Sequence, residues 1–132
     1  MRRMRPTIRL LLCLAGLVVV GTASAVTATG QFRASLTATT HTPTVNARWT
    51  YYVSARTLKG KRLHGSAHVQ VFERGKRVNI IGWRQFTGSY HQGFRWPVST
   101  RGHRYVFQVV VIATGANGKK SQLRLNYAVS PK

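Results

Sequence analysis

Residues 105–113 read YVFQVVVIA, a run in which β-branched or aromatic side chains take nearly every place. Successive side chains of an extended strand point to opposite faces, so Tyr105, Phe107, Val109 and Val111 share one side and Val106, Val110 and Ile112 the other. Apolar residues on both sides predict a strand in the middle of a sheet with both faces buried. Asn117-Gly118 follows, and both residues tolerate positive φ, so a hairpin is expected there. The returning strand is legible in Leu123, Leu125, Tyr127 and Val129, which alternate with Gln122, Arg124 and Asn126.

The partners of this hairpin lie upstream. Phe32, Ala34, Leu36 and Ala38 alternate with Arg33, Ser35 and Thr37, and Pro43 closes that segment. Trp49, Tyr51, Val53 and Ala55 then share a face against Thr50, Tyr52, Ser54 and Arg56. A turn over Lys59-Gly60-Lys61 leads to Ala67, Val69 and Val71, and Arg74-Gly75-Lys76 turns the chain again. Val78 to Trp83 is β-rich, and a looser stretch containing Gly88 and Gly93 precedes a short strand from Phe94 to Trp96. No amphipathic helix of useful length follows residue 26.

About seven short strands with a turn every 8 to 12 residues or so predict an all-β chain folded as one antiparallel β-sandwich of immunoglobulin type. The chain resembles bacterial secreted immunoglobulin-like or fibronectin type III-like domains over about residues 31–130. The resemblance rests on Trp49-x-Tyr51-x-Val53, the Gly60 and Gly75 turns, Trp96-Pro97, Arg101-Gly102 ahead of Tyr105, and Leu125-Asn126-Tyr127-x-Val129. It implies a fold and no particular activity.

Ahead of the domain, Arg2, Arg3, Arg5 and Arg9 precede the apolar run from Leu10 to Val20, and Ala23-Ser24-Ala25 supplies a small-x-small cleavage pattern. Residues 1–25 are therefore expected to be a signal peptide, with 26–30 a flexible Thr/Ala-rich start and 31–130 the domain. The exported chain would be secreted, at the cell surface or wall, with no integral membrane span after cleavage. Cys13 is the only cysteine and leaves with the leader, so packing alone must stabilise the remaining 107 residues.

Charge is the other sequence-level signal. The chain carries 21 Lys and Arg against one acidic side chain, Glu73, for a net charge of +20, or +16 without the four leader arginines. A partner that is an anionic polymer would relieve the self-repulsion of such a domain, whether wall polymer, polysaccharide or nucleic acid. In an immunoglobulin topology, alternate loops share one end of the sandwich. That rule gathers Lys59, Lys61, Arg62, Arg84, Lys119 and Lys120 into one basic pole as the candidate polyanion-binding residues. The opposite end would hold Arg74, Lys76, Arg77, Arg101 and Arg104, offset by Glu73, itself expected to pair with Arg74 or Arg77.

Catalysis finds little support. One carboxylate cannot form an acid/base pair, no cysteine survives export, and no Gly-x-Ser-x-Gly elbow frames a serine. His64 and His68 have the spacing of metal ligands on a helix, but four residues of strand separate them by roughly 13 Å, too far to share an ion. The expectation is a non-catalytic binding or adhesion module with no metal and no cofactor. A purely structural wall domain is the alternative, as is a carbohydrate-binding module using Trp83, Tyr90 and Phe94 as a stacking platform.

Overall fold

The structure, a computed structural model, describes residues 25–132. All of the expected signal peptide except Ala25 lies outside the described residues. The strands are β1 (Val26–Thr29), β2 (Arg33–Ala38), β3 (Arg48–Arg56), β4 (His64–Glu73), β5 (Lys76–Thr87), β6 (Ser89–Arg95), β7 (Tyr105–Thr114) and β8 (Lys120–Val129). One 3₁₀ turn, Val98–Thr100, is the sole helical element among the described residues. The strands form two four-stranded antiparallel sheets, β1-β2-β3-β6 and β5-β4-β7-β8.

The alternation read from the sequence is what joins the two sheets. Phe32, Ala34, Leu36, Trp49, Tyr51 and Val53 face inward from one sheet, and Val69, Val71, Phe107, Val109, Leu125 and Tyr127 from the other. Each large side chain taken from water contributes about 1.5–3 kcal/mol, so this interior can replace a disulfide as the source of stability. Trp49 lies at its centre, with its ring edge-on to Trp96 and Phe107 at centroid distances of 5.6 and 5.0 Å. Its indole Nε1 donates to the Thr40 carbonyl at 2.7 Å, which removes the cost of burying that polar group.

Three expectations need correcting. The strands number eight rather than seven, because Val26–Thr29, expected as a flexible start, pairs with β2 from Val26 opposite Leu36 to Thr29 opposite Arg33. The region read as loose is instead the twelve-residue β5 joined to β6 through Gly88, whose φ of 79° suits only glycine. Two register shifts against β4, at Ala67/Val69 and Val71/Phe72, each add a residue to β5. Each bulge flips which face the following side chains take, which erases the two-residue period. Finally, β7 is central, between β4 and β8, but only one of its faces is fully covered. On the outer face Val110 is buried while Val106 is 38% exposed, because among the described residues no third layer lies over this sheet.

The connections place the loops at two ends. Ala116 N donates to Gln31 O at 2.8 Å and Gly88 N to Leu63 O at 3.0 Å, tying the β1–β2, β3–β4, β5–β6 and β7–β8 connections together at one end. Val45 N to Lys132 O and Gly102 N to Pro131 O hold the other end, where the C-terminus lies with the β2–β3 and β6–β7 connections.

Candidate anion-binding surface

At the first end Lys59 and Lys61 stand exposed on the β3–β4 loop, and Lys119 and Lys120 on the β7–β8 hairpin. These two loops meet around a depression of about 270 Å³ lined by Thr57, Leu58, Leu63, Gly115 and Ala116. The loops that carry these four lysines are thus at the same end, as expected. Arg62 is at the same end, but its guanidinium Nη2 donates to Thr87 O at 3.0 Å and its side chain covers Gly88, so it also closes a turn. Arg84 does not join the pole. It projects from within β5 on the flank of the sandwich, where its guanidinium lies 4.9 Å from the centre of the Tyr90 ring.

The structure adds two cations that the loop argument missed. Arg33 of β2 and Arg56 of β3 are directly opposed in the antiparallel register, and Arg56 in turn bridges to Arg62. Like charges placed directly opposite on neighbouring strands cost stability. Next to them the register aligns Thr27, Ser35, Ser54 and Ser89 as one row of hydroxyl side chains across all four strands of the sheet. The Ser35 and Ser54 hydroxyls are hydrogen-bonded to each other. Arg33, Arg56, Thr27, Thr29, Ser35 and Ser54 line a shallow depression of about 210 Å³. Two guanidiniums beside hydroxyl donors are the groups that hold a phosphate, sulfate or carboxylate, through charge-assisted and often bidentate hydrogen bonds. The signal was present in the sequence as mirror images, Arg33-x-Ser35 and Ser54-x-Arg56, which an antiparallel pairing brings side by side.

At the other end Glu73 pairs with His103 rather than with Arg74 or Arg77. Its Oε2 lies 2.6 Å from His103 Nδ1, because the β4–β5 hairpin and the segment leading into β7 share that end. Arg77 instead donates to Gln70 Oε1 at 3.1 Å. The only acidic side chain of the chain is therefore remote from the four-lysine pole.

The three aromatics expected to form one platform are separated. Phe94 packs edge-on against Trp49 and Trp96, and Tyr90 packs against Tyr51 and Phe86, so both are partly buried against the core. Burial accordingly raises the Tyr90 phenol above its ordinary value. Trp83 is 55% exposed and points away from the core on the outer side of the β5-β4-β7-β8 sheet, stacked on His68 at 4.0 Å. Both His64 and His68 fall within β4, with His64 bonded to Thr87 Oγ1 and His68 held under Trp83.

Burial lowers the His68 pKa from its ordinary 6.5, and repulsion from Arg124 and Arg77 lowers it further. A histidine whose folded pKa is depressed leaves the unfolded chain to bind the proton first as pH falls. The neutral ring's contribution is thus full above 6.5 and is lost as pH drops toward the lowered value. Stabilities from thermal melts of the parent and His68→Gln over a pH series should run parallel above 6.5 and differ in slope as pH falls from 6.5 toward the lowered value; curves parallel throughout would contradict the assignment.

The chain matches no protein-family model, no curated protein and no solved structure.

Proposed function

We propose that this chain is an exported, non-catalytic binding module of the cell surface that holds an anionic polymer at its four-lysine end and along the adjoining Arg33–Arg56 depression. The observation that carries the reading is the direct opposition of Arg33 and Arg56 beside a row of hydroxyls, in a sheet with no carboxylate to neutralise them. Folding opposes two guanidiniums at a cost that an anion would reverse. Lys59, Lys61, Lys119 and Lys120 extend the same field and steer a charged chain toward it.

We infer an immunoglobulin-type sandwich for the same domain. The neighbours β2-β3-β6 and β4-β7-β8 follow the A-B-E and C-F-G order of immunoglobulin-type sandwiches, with β5 beside β4 rather than beside β6. Export is supported by the arginine-led apolar run and Ala23-Ser24-Ala25.

Binding to duplex DNA, used as a test polyanion over a range of salt, checks the electrostatic core of the proposal. Engagement of about four phosphates gives a slope of log K against log salt of about −3.6. A slope near zero would overturn it.

A further inference from the structure

The outer face of the β5-β4-β7-β8 sheet carries a second set of groups, separate from the pole. Gln70, Gln108 and Asn126 are consecutive partners across β4, β7 and β8. Their amides form a ladder, with Gln70 Nε2 donating to Gln108 Oε1 at 3.1 Å and Gln108 Nε2 to Asn126 Oδ1 at 2.9 Å. The ladder fixes two guanidiniums: Arg77 Nη1 donates to Gln70 Oε1 at 3.1 Å and Arg124 Nη1 to Gln108 Oε1 at 3.0 Å. With the Gln122 amide in the orientation that satisfies both of its ends, its oxygen also accepts from Arg124 Nη2 and Nε at 3.1 and 3.2 Å. Arg124 is held in plane by these contacts and keeps further N–H groups for a ligand. In the neighbouring row of the same face His68, Val110 and Arg124 are register partners, and Trp83, 55% exposed, stacks on His68.

We propose that this sheet face binds a uronic-acid-containing glycan, whose pyranose ring stacks on Trp83 and whose carboxylate is taken by the fixed guanidiniums of Arg77 and Arg124. The chemistry selects this occupant in three steps. An exposed indole offers an apolar plane to the C–H face of a sugar. Rigid, amide-held arginines match a planar carboxylate better than flexible lysines do. Asn126, exposed at the end of the ladder, has an amide nitrogen to offer a hydroxyl. A second copy of this chain is disfavoured, because it would bring arginines against arginines with no carboxylate on the face to pair with them.

Trp49 and Trp96 are each 1% exposed, so of the chain's three tryptophans only Trp83 can report a ligand by direct contact. The test is a fluorescence titration with a galacturonate oligomer, its fully methyl-esterified form and a single-stranded polydeoxythymidine, at salt high enough to screen the lysine end. The acidic oligomer should shift Trp emission and bind at least about tenfold tighter than the ester, as a charge-assisted pair requires. Measured by titration calorimetry, since the first variant lacks the reporter, Trp83→Ala and Arg124→Gln should each weaken it about tenfold, because Trp and Arg anchors dominate such surfaces. A variant with Lys59, Lys61, Lys119 and Lys120 changed to Gln should keep the Trp83 emission shift and its preference for acid over ester, so failure here is separable from failure at the lysine end. Equal binding of acid and ester, unchanged affinity in Trp83→Ala, or a Trp83-dependent response to polydeoxythymidine alone would each overturn the proposal.

Discussion

Trp49→Ala should cost about 4 kcal/mol of folding stability, the value typical of a large aromatic removed from a close-packed interior. Trp49 is 1% exposed and touches the rings of Tyr51, Phe94, Trp96, Phe107 and Tyr127, which come from both sheets. Truncation would leave a cavity walled by rigid rings that cannot collapse into it, and would strand the Thr40 carbonyl that accepts from the indole. A domain of this size has only about 5–15 kcal/mol in total, so the variant should be close to unfolding at room temperature. Denaturant titration decides the matter, and a loss below about 1 kcal/mol would mean that the two sheets are not packed around this side chain.

The second large effect falls on binding and has the opposite sign for stability. Replacing Arg33 and Arg56 together by Gln should weaken affinity for an anionic polymer about a hundredfold, from about 1.4 kcal/mol for each lost charge-assisted contact. The same change removes a directly opposed like-charge pair, so stability should hold or rise by a few tenths of a kcal/mol. A purely structural domain would show no affinity change, and a mere folding defect would lower both quantities. Paired measurement of affinity and unfolding midpoint on one preparation separates the three cases.

The strands that were legible in the sequence are those with one buried and one open face. In β2, β3, β4 and β8 the burial follows the alternation read from Phe32–Ala38, Trp49–Ala55, Ala67–Val71 and Leu123–Val129 almost position by position. The pattern failed where a non-local feature decides the face. Bulges in β5 set Trp83 outward while Phe86, three residues on, faces inward, so Trp83 could not share a platform with Tyr90 and Phe94, which pack against the core. The Asn117-Gly118 hairpin formed as read, but only Gly118 uses positive φ, at 76°, since a Gly115 N to Lys119 O bond closes a wider loop. Four lysines of the pole were legible because alternate loops must return to the same end. Arg33 and Arg56 were not, because their meeting depends on the register between β2 and β3, which neither strand reveals alone.

The central claim is that one end of the sandwich, and not its general charge, holds the polymer. The direct measurement compares salt dependence of binding to duplex DNA for the parent and two variants of equal charge loss. One replaces Lys59, Lys61, Lys119 and Lys120 by Gln, and the other replaces Arg74, Lys76, Arg101 and Arg104 by Gln at the opposite end. The account predicts that the first variant has a clearly flatter slope than the parent's, about −3.6, keeping only the share that Arg33 and Arg56 contribute, while the second keeps the full slope. Equal flattening in both variants would contradict the account and leave the charge without a site.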